Sequence, residues 1–366
     1  MDIRIPIDGY RIPESKTFAH STRMADSWRP IPEEVVQPEM IVGPAEMQVK
    51  VFDSSTKQLN NARRTKNPLK MLHRTQTMDL SGRFVYDARY EVETNVGHYI
   101  VDTIPKILAA RSAISEDLGK DIAIHAVLRE GSSKLSLDIF ANFGIPVVST
   151  EADVVGRIVK TSEVVPRTSS NGSSFVSGPG ITMVGKLREM YSSFREQSLD
   201  RKAGGPEKIF VSRKSSRTIE NEAEIMSLLK THGFERYYFE TGELSVIEQW
   251  RIMSGAREIV AIHGAGLTPL IFNTHGLAQP RGDLSGLRIV EVHGAGYFVD
   301  FNRRLAAVMN AHWCGVRGRI TPEIVRDLDE RGGGRVHQSS SFRVDPQALE
   351  LALKYSASVD RQQASN

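Results

Sequence analysis

From Lys208 to Asn310 the chain alternates between short apolar runs of strand type and segments with helical spacing. KIFVSRK (208–214) reads as a strand and Glu222 to Gly233, with Ile225, Leu228 and Leu229 on one face, as a helix. RYYFE (236–240) is a strand and Ser245 to Gly255 a helix. EIVAIHGAG (258–266) is a strand running into a glycine turn, and TPLIFN (268–273) starts a short helix. LRIVEV (287–292) is a strand and Phe298 to Asn310 a helix. Successive strands joined through helices lie parallel, so this half is restricted to a parallel, doubly wound sheet covered on both faces. Asp345 to Tyr355 adds one more amphipathic helix.

The 366 residues suffice for two domains. Residues 1–50 are rich in proline and lack periodicity, so an extended arm or irregular edge strands on the first domain are expected. Ser54 to Met78 carries Lys57, Arg63, Arg64, Lys66, Lys70 and Arg74 and no acidic residue. This basic 57–74 stretch is either a solvated loop or a patch for an anionic acceptor or a membrane surface. From Asn95, residues Ile100, Ile104, Ile107 and Leu108 recur at helix spacing, with Pro105 expected to bend the segment. DIAIHAVL (121–128), KLSLDIFANFG (134–144) and PVVST (146–150) read as strand, helix and strand, and RIVKTSEVV (157–165) as a further strand. Gly178 to Arg201 reads as a helix leading into the linker RKAGGPE (201–207). The expected division is therefore 1–200, 207–340, and a helix and tail over 345–366.

Lysine plus arginine total 47 against 44 aspartate plus glutamate, a net charge of +3 that is too small to mark nucleic acid as the main partner. With 40% hydrophobic and 25% charged residues the balance is that of a folded globular enzyme. The single cysteine, Cys314, leaves no intrachain disulfide and makes a reducing, cytoplasmic setting the expectation. The opening MDIRIPIDGYRIPE lacks the apolar core of a signal peptide. The uncharged stretch Ile259 to Pro280 is broken by two histidines, three glycines and two prolines, so it does not read as a membrane span.

Three motifs carry candidate chemistry. His263-Gly264-Ala265-Gly266-Leu267 follows a buried strand and precedes a helix, where glycines let the backbone approach a phosphate. The dinucleotide fingerprint needs a third glycine where Pro269 stands, and the second His-Gly-Ala-Gly, at 293–296, has Val299 at that place. Ser212-Arg213-Lys214-Ser215-Ser216-Arg217 closes the first strand of this half, and its cations suit a diphosphate. Asn221, expected as an N-cap, and Glu222 open the next helix. Upstream, His98 and Asp102 stand four apart, on one face of a helix, as a base and its orienting or sugar-binding partner would. Each motif also has a bland reading: a tight turn, a solvated loop, a structural hydrogen bond. Asp327-Leu328-Asp329 has an Asp-x-Asp pattern but sits in a helix, where i and i+2 diverge, so no metal site is expected.

Taken in order, FVSRKSSRTIENEAEIMSLLKTHGF, LSVIEQWRIMSGAREIVAIHGAGLTPLIF and LRIVEV, with NVGHYIVDTIPKIL upstream, resemble glycosyltransferase family 61, the DUF563 capsule-type transferases. The resemblance runs from about Asn95 to Asn310. It departs at Thr268-Pro269, where Thr-Asn is usual, and residues 1–90 have no counterpart. It implies a GT-B architecture of two Rossmann-like domains facing a cleft, the donor on the C-terminal one and the last helix crossing back to the first. It implies an inverting sugar transfer from a nucleotide-sugar to a glycan or other hydroxyl acceptor, without metal or cofactor, in surface or capsular polysaccharide synthesis. By resemblance Arg213, Arg217, Asn221, Glu222, Gln249, His263 to Leu267 and Glu291 bind the donor, and His98 and Asp102 hold the catalytic pair. Which of these two is the base stays open. Two rivals are a nicotinamide-dependent sugar-nucleotide oxidoreductase, disfavoured by the missing third glycine, and a non-catalytic nucleotide-sugar-binding protein, which would lack the upstream acid.

Overall fold

The computed structural model describes residues 1–19, 34–56, 76–89, 96–164, 184–198, 205–278, 286–299, 301–331 and 337–363. Lys57 to Arg74, Asn95, residues 178–183 and the linker residues 201–204 lie outside these, so the basic stretch has no structural account. The chain divides into two compact units, one of Met1–Gly9 with Gly43–Met190 and one of Tyr10–Val42 with Tyr191–Asn366.

The first unit begins with β1 (Asp2–Ile7). The chain then contributes β2 (Tyr10–Ile12), β3 (Ser15–Ala19), β4 (Glu34–Gln37) and β5 (Met40–Val42) to the second unit. It returns with β6 (Ala45–Ser55), β7 (Thr77–Asp87), α1 (Ile104–Leu118), β8 (Ile124–Leu128), α2 (Lys134–Asn142), β9 (Val147–Ser149) and β10 (Asp153–Val164). The sheet order is β1-β6-β10-β7-β8-β9. Its four strands β10-β7-β8-β9 are parallel, while β6 runs antiparallel to both β1 and β10. The expected small α/β domain is therefore mixed, because the long β6 alternates Met47, Val49 and Val51 inward and pairs along nearly its whole length with β10.

The second unit holds α3 (Val184–Ser198, which begins in the first unit), β11 (Lys208–Ser212), α4 (Glu222–Thr231), β12 (Glu235–Tyr238) and α5 (Val246–Gly255). β13 (Glu258–Ile262) follows, then a 3₁₀ helix over Ala265–Phe272, α6 (Thr274–Ala278), β14 (Arg288–His293), α7 (Phe301–Val308), β15 (His312–Arg317), α8 (Pro322–Arg331) and α9 (Pro346–Gln363). Strand order is β12-β11-β13-β14-β15-β3-β4, parallel except for β4. Before β3 and β4 are added, this is the 2-1-3-4-5 order of doubly wound sheets, and the order reverses between β11 and β13.

Both faces are covered, as the near-continuous apolar strands require. Phe210, Val260, Ile262, Val290, Val292, Cys314 and Val316 pack against Ile225 and Leu229 of α4 and Leu349 and Leu353 of α9. On the other side Trp250 of α5 stacks on Phe272 at 4.3 Å.

Two expectations are corrected. The N-terminal arm does not lie wholly on the first domain: β3 pairs with β15 through Gly315↔Thr17, Val316↔Phe18 and Arg317↔Ala19. β15 would otherwise be an open edge with an apolar face, which Phe18 helps to close. The C-terminal helix does not leave the second unit. Ala348, Leu349, Ala352 and Leu353 of α9 belong to its core, where each fully buried leucine contributes about 1.5–3 kcal/mol. Among the described residues no helix is long and apolar enough to cross a membrane.

Candidate functional site

The carboxyl ends of β11 and β13 bring two of the three motifs together. After β11, Arg213 Nε donates to Ser216 O (2.9 Å) and its Nη2 lies 3.0 Å from Glu240 Oε2. Glu240 also accepts from the N–H groups of Lys214 (2.5 Å) and Ser215 (2.8 Å). Burial works against ionisation of Glu240, but these N–H groups and Arg213 outweigh it and hold the carboxyl below its usual range. Arg217 has φ 57°, a left-handed backbone that costs a non-glycine residue about 1–3 kcal/mol. Three bonds hold it there: its N–H to Ser339 O, Nε to Gln338 O (2.7 Å) and Nη1 to His263 O (3.0 Å). Burial and the neighbouring Arg213 both lower its pKa.

Gly264 is where the guanidinium groups meet the turn. Its φ of 151° and ψ of −170° fall in a region essentially restricted to glycine. A Cβ there would overlap Arg213 Nη1 and come within 3.4 Å of Arg217 Nη1. The 3₁₀ helix that follows makes its first bond from Leu267 N to Gly264 O (3.2 Å), so helix geometry leaves the N–H groups of Ala265 and Gly266 without intrahelical acceptors. Two cations, a strand end and a helix start thus converge, an arrangement suited to an anion. Tyr297 adds an aromatic face, its ring 5.5 Å from Arg217 Cζ and 5.6 Å from the His263 ring.

Behind the turn lies a buried polar cluster. His263 Nδ1 is 2.6 Å from Glu291 Oε1, and Asn302 Nδ2 donates to the same oxygen at 2.6 Å. Trp313 Nε1 donates to Oε2 at 2.9 Å, and His293 Nε2 lies 3.5 Å from it. Gly315 makes room for the indole, because a Cβ there would come within 2.9 Å of the Trp313 ring. Burial opposes ionisation of Glu291, yet His293 and hydrogen bonds from both histidines pull its carboxyl well below the usual range. His293 itself is pushed down by burial, partly offset by Glu291.

His263, Glu291 and His293 place donor atoms within 4.8 Å of one another, the grouping among the described residues with the chemistry of a metal site. Its spacing does not fit an ion. Ligands of one tetrahedral zinc stand about 3.3 Å apart at bond lengths near 2 Å, whereas Nδ1 and Oε1 are in hydrogen-bond contact at 2.6 Å. Asp327, of the Asp-x-Asp pattern, lies in α8 as expected, with its Oδ2 3.4 Å from His337 Nε2.

Several residues named from the sequence make bonds within the fold. Asn221 occupies the N-cap position of α4 but makes no side-chain cap bond. Its amide instead clamps Val344, donating to Val344 O (2.8 Å) and accepting from Val344 N (3.0 Å). That grip holds the segment that also supplies Ser339 and Gln338 to Arg217. Glu222 accepts from Ser212 Oγ (2.6 Å) and Tyr238 OH (3.1 Å). Gln249 is buried and donates to Phe239 O and Leu244 O. Leu267 is a core residue. Glu291 is fully buried, at 0% exposure.

In the first unit, Val96–His98 forms a helical turn, Tyr99–Thr103 is π-helical, and α1 continues from Ile104. Ile104 N–H bonds Tyr99 O, five residues back. The widened turn precedes Pro105, which lacks an N–H and would crowd the carbonyl four residues earlier. His98 and Asp102 are both partly buried. Burial lowers the His98 pKa, partly offset by Asp102. The Asp102 carboxylate is 2.6 Å from Lys106 Nζ, a cation the sequence reading missed. The signal was present as Asp-x-x-x-Lys, the favourable i,i+4 order. Asn302, Trp313, Tyr297 and Glu240 were also missed, and no local spacing marks them.

The model of the family described as Glycosyltransferase 61 matches residues 96–282, half of the chain, and so spans both the His98/Asp102 helix and the Arg213–Gly264 site. No curated protein matches the chain. Its motifs are thus embedded in a longer family-wide likeness, and the chain belongs to glycosyltransferase family 61.

Proposed function

We propose that this glycosyltransferase takes its sugar from a nucleotide-sugar whose diphosphate binds at the carboxyl ends of β11 and β13. The observation that carries the reading is the convergence of Arg213, Arg217 and Gly264 at the switch point of the parallel sheet, where such sheets bind ligands. The strained backbone of Arg217 supports it, since such conformations persist where the surroundings hold a group in place for use.

In the proposed reaction an acceptor hydroxyl attacks the anomeric carbon from the face opposite the diphosphate. The bond from that carbon to the phosphate oxygen breaks, one to the acceptor oxygen forms, and configuration inverts. The hydroxyl proton passes to a base, and the leaving diphosphate takes the bonding electrons. Arg213 and Arg217 supply the positive charge this leaving group needs, so the transfer is metal-independent. The first unit carries the acceptor side in a GT-B arrangement, with Asp102 as base and His98 binding substrate or orienting it, or with these roles exchanged. Burial lowers the His98 pKa, so its imidazole is unprotonated near neutral pH, the form a base requires. A surface or capsular polysaccharide is the acceptor class the family resemblance supports.

The test is diphosphate release from a panel of nucleotide-sugars mixed with glycan acceptors. Release should require both substrates and persist in a chelator. Activity abolished by chelation and restored by manganese would contradict the metal-free reading.

A further inference from the structure

Arg213 meets Gly264 with only part of its guanidinium. Its Nε–H donates to Ser216 O (2.9 Å), and the two hydrogens of Nη2 go to Ser216 Oγ (3.2 Å) and Glu240 Oε2 (3.0 Å). Among the described residues Nη1 keeps both of its hydrogens, and it is the atom that a Cβ on Gly264 would overlap. Arg217 is held in a similar way, Nε on Gln338 O and Nη1 on His263 O, which leaves Nη2. Glu240 does more than pair with Arg213. Its other oxygen accepts from the N–H groups of Lys214 (2.5 Å) and Ser215 (2.8 Å), so one carboxylate ties the guanidinium to the backbone of the turn that carries it. To rotate away from Gly264, Arg213 would have to break the contact to Glu240 and both bonds to Ser216. Two like charges converge on this glycine, and Glu240 is the counter-ion that opposes their separation.

We infer that Glu240 is a positioning residue, which fixes Arg213 so that Nη1 meets the donor diphosphate at Gly264. This rests on the donor site proposed above. The sign of the effect separates this role from plain electrostatics. A carboxylate that merely stands near a phosphate repels it, so neutralising that carboxylate strengthens binding. A carboxylate that aims an arginine does the opposite, because its loss frees the guanidinium from the geometry in which it contacts the phosphate.

The test is calorimetry of the full chain with inorganic pyrophosphate for wild type, Glu240→Gln and Glu243→Gln, with a melting curve for each. Glu243 has a side chain 67% exposed and lies 3.5 Å from Lys214 Nζ, so its substitution removes the same charge from the same loop and no bond of Arg213. Pyrophosphate should bind Glu240→Gln about tenfold more weakly than wild type, and Glu243→Gln as tightly or more so. In an Arg213→Ala background the loss caused by Glu240→Gln should vanish, because no guanidinium remains to be aimed. Ser216→Ala, which removes one acceptor of Nη2, should weaken binding in the same direction by a smaller factor. Binding in Glu240→Gln equal to or tighter than wild type, or a loss that persists in full without Arg213, overturns the inference. If Glu240→Gln fails to fold, unchanged binding in Ser216→Ala overturns it. Pyrophosphate that fails to bind wild type instead overturns the donor-site reading, and the inference falls with it.

Discussion

Gly264→Ala tests whether the turn and the arginines form one object. An alanine at φ 151° is held in a region essentially reserved for glycine, at about 1–3 kcal/mol. Its methyl would also overlap Arg213 Nη1, so the guanidinium must leave Ser216 O (2.9 Å) and Glu240 (3.0 Å), adding about 1 kcal/mol. At roughly 2–4 °C per kcal/mol, thermal unfolding should shift down by several degrees. Diphosphate binding should suffer separately, because the displaced guanidinium is the proposed ligand, and a charge-assisted contact of about 1.5–3 kcal/mol corresponds to about 10–150-fold in affinity. The control is Gly286→Ala, whose Cβ would meet nothing within 4 Å and which should stay within about 0.5 kcal/mol of wild type. Calorimetry with a nucleoside diphosphate and a melting curve for each variant complete the comparison. If Gly264→Ala melts with the control and binds like wild type, the convergence at Gly264 is not what holds the site.

Arg213→Ala should leave the fold intact and weaken nucleoside diphosphate binding about 10–150-fold, read by calorimetry. Asp102→Asn should retain donor binding and lower turnover by about 10²–10⁴-fold in a diphosphate-release assay, while near wild-type turnover together with a dead His98→Ala reverses the two roles. Stability should fall in acid. The folded-state pKa values of Glu291 and His293 are both depressed, so the stability they confer is present above their ordinary values of 4.5 and 6.5 and is lost as pH drops below these. Urea midpoints should therefore be lower at about pH 5 than at neutral pH, and equal midpoints would refute the assignment.

The parallel sheet was legible because its strands and helices are local and their order is enforced by short connections. The glycine turn was legible for the same reason: His263 to Leu267 follow their strand directly. What stayed hidden depends on partners far apart in sequence. β3 gives no sign that it pairs with β15, since its own residues specify only a strand. Glu291 looked like a ligand at a strand end, and only the register and packing of β15 and α7 show Trp313 and Asn302 enclosing it. Asn221 satisfied the N-cap rule by type, but Val344, brought alongside by the tertiary fold, takes its side chain. Lys106 was readable from its spacing to Asp102, and the structure makes the pair explicit.

The donor is proposed to lie at the carboxyl ends of β11 and β13. Amide hydrogen exchange with and without a binding nucleotide-sugar, chosen from a panel by thermal shift, tests it most directly. Protection should concentrate over residues 212–217 and 263–267 and be lost in Arg213→Ala. Protection confined to residues 121–165 of the first unit, or a panel in which no nucleotide-sugar binds, would contradict it.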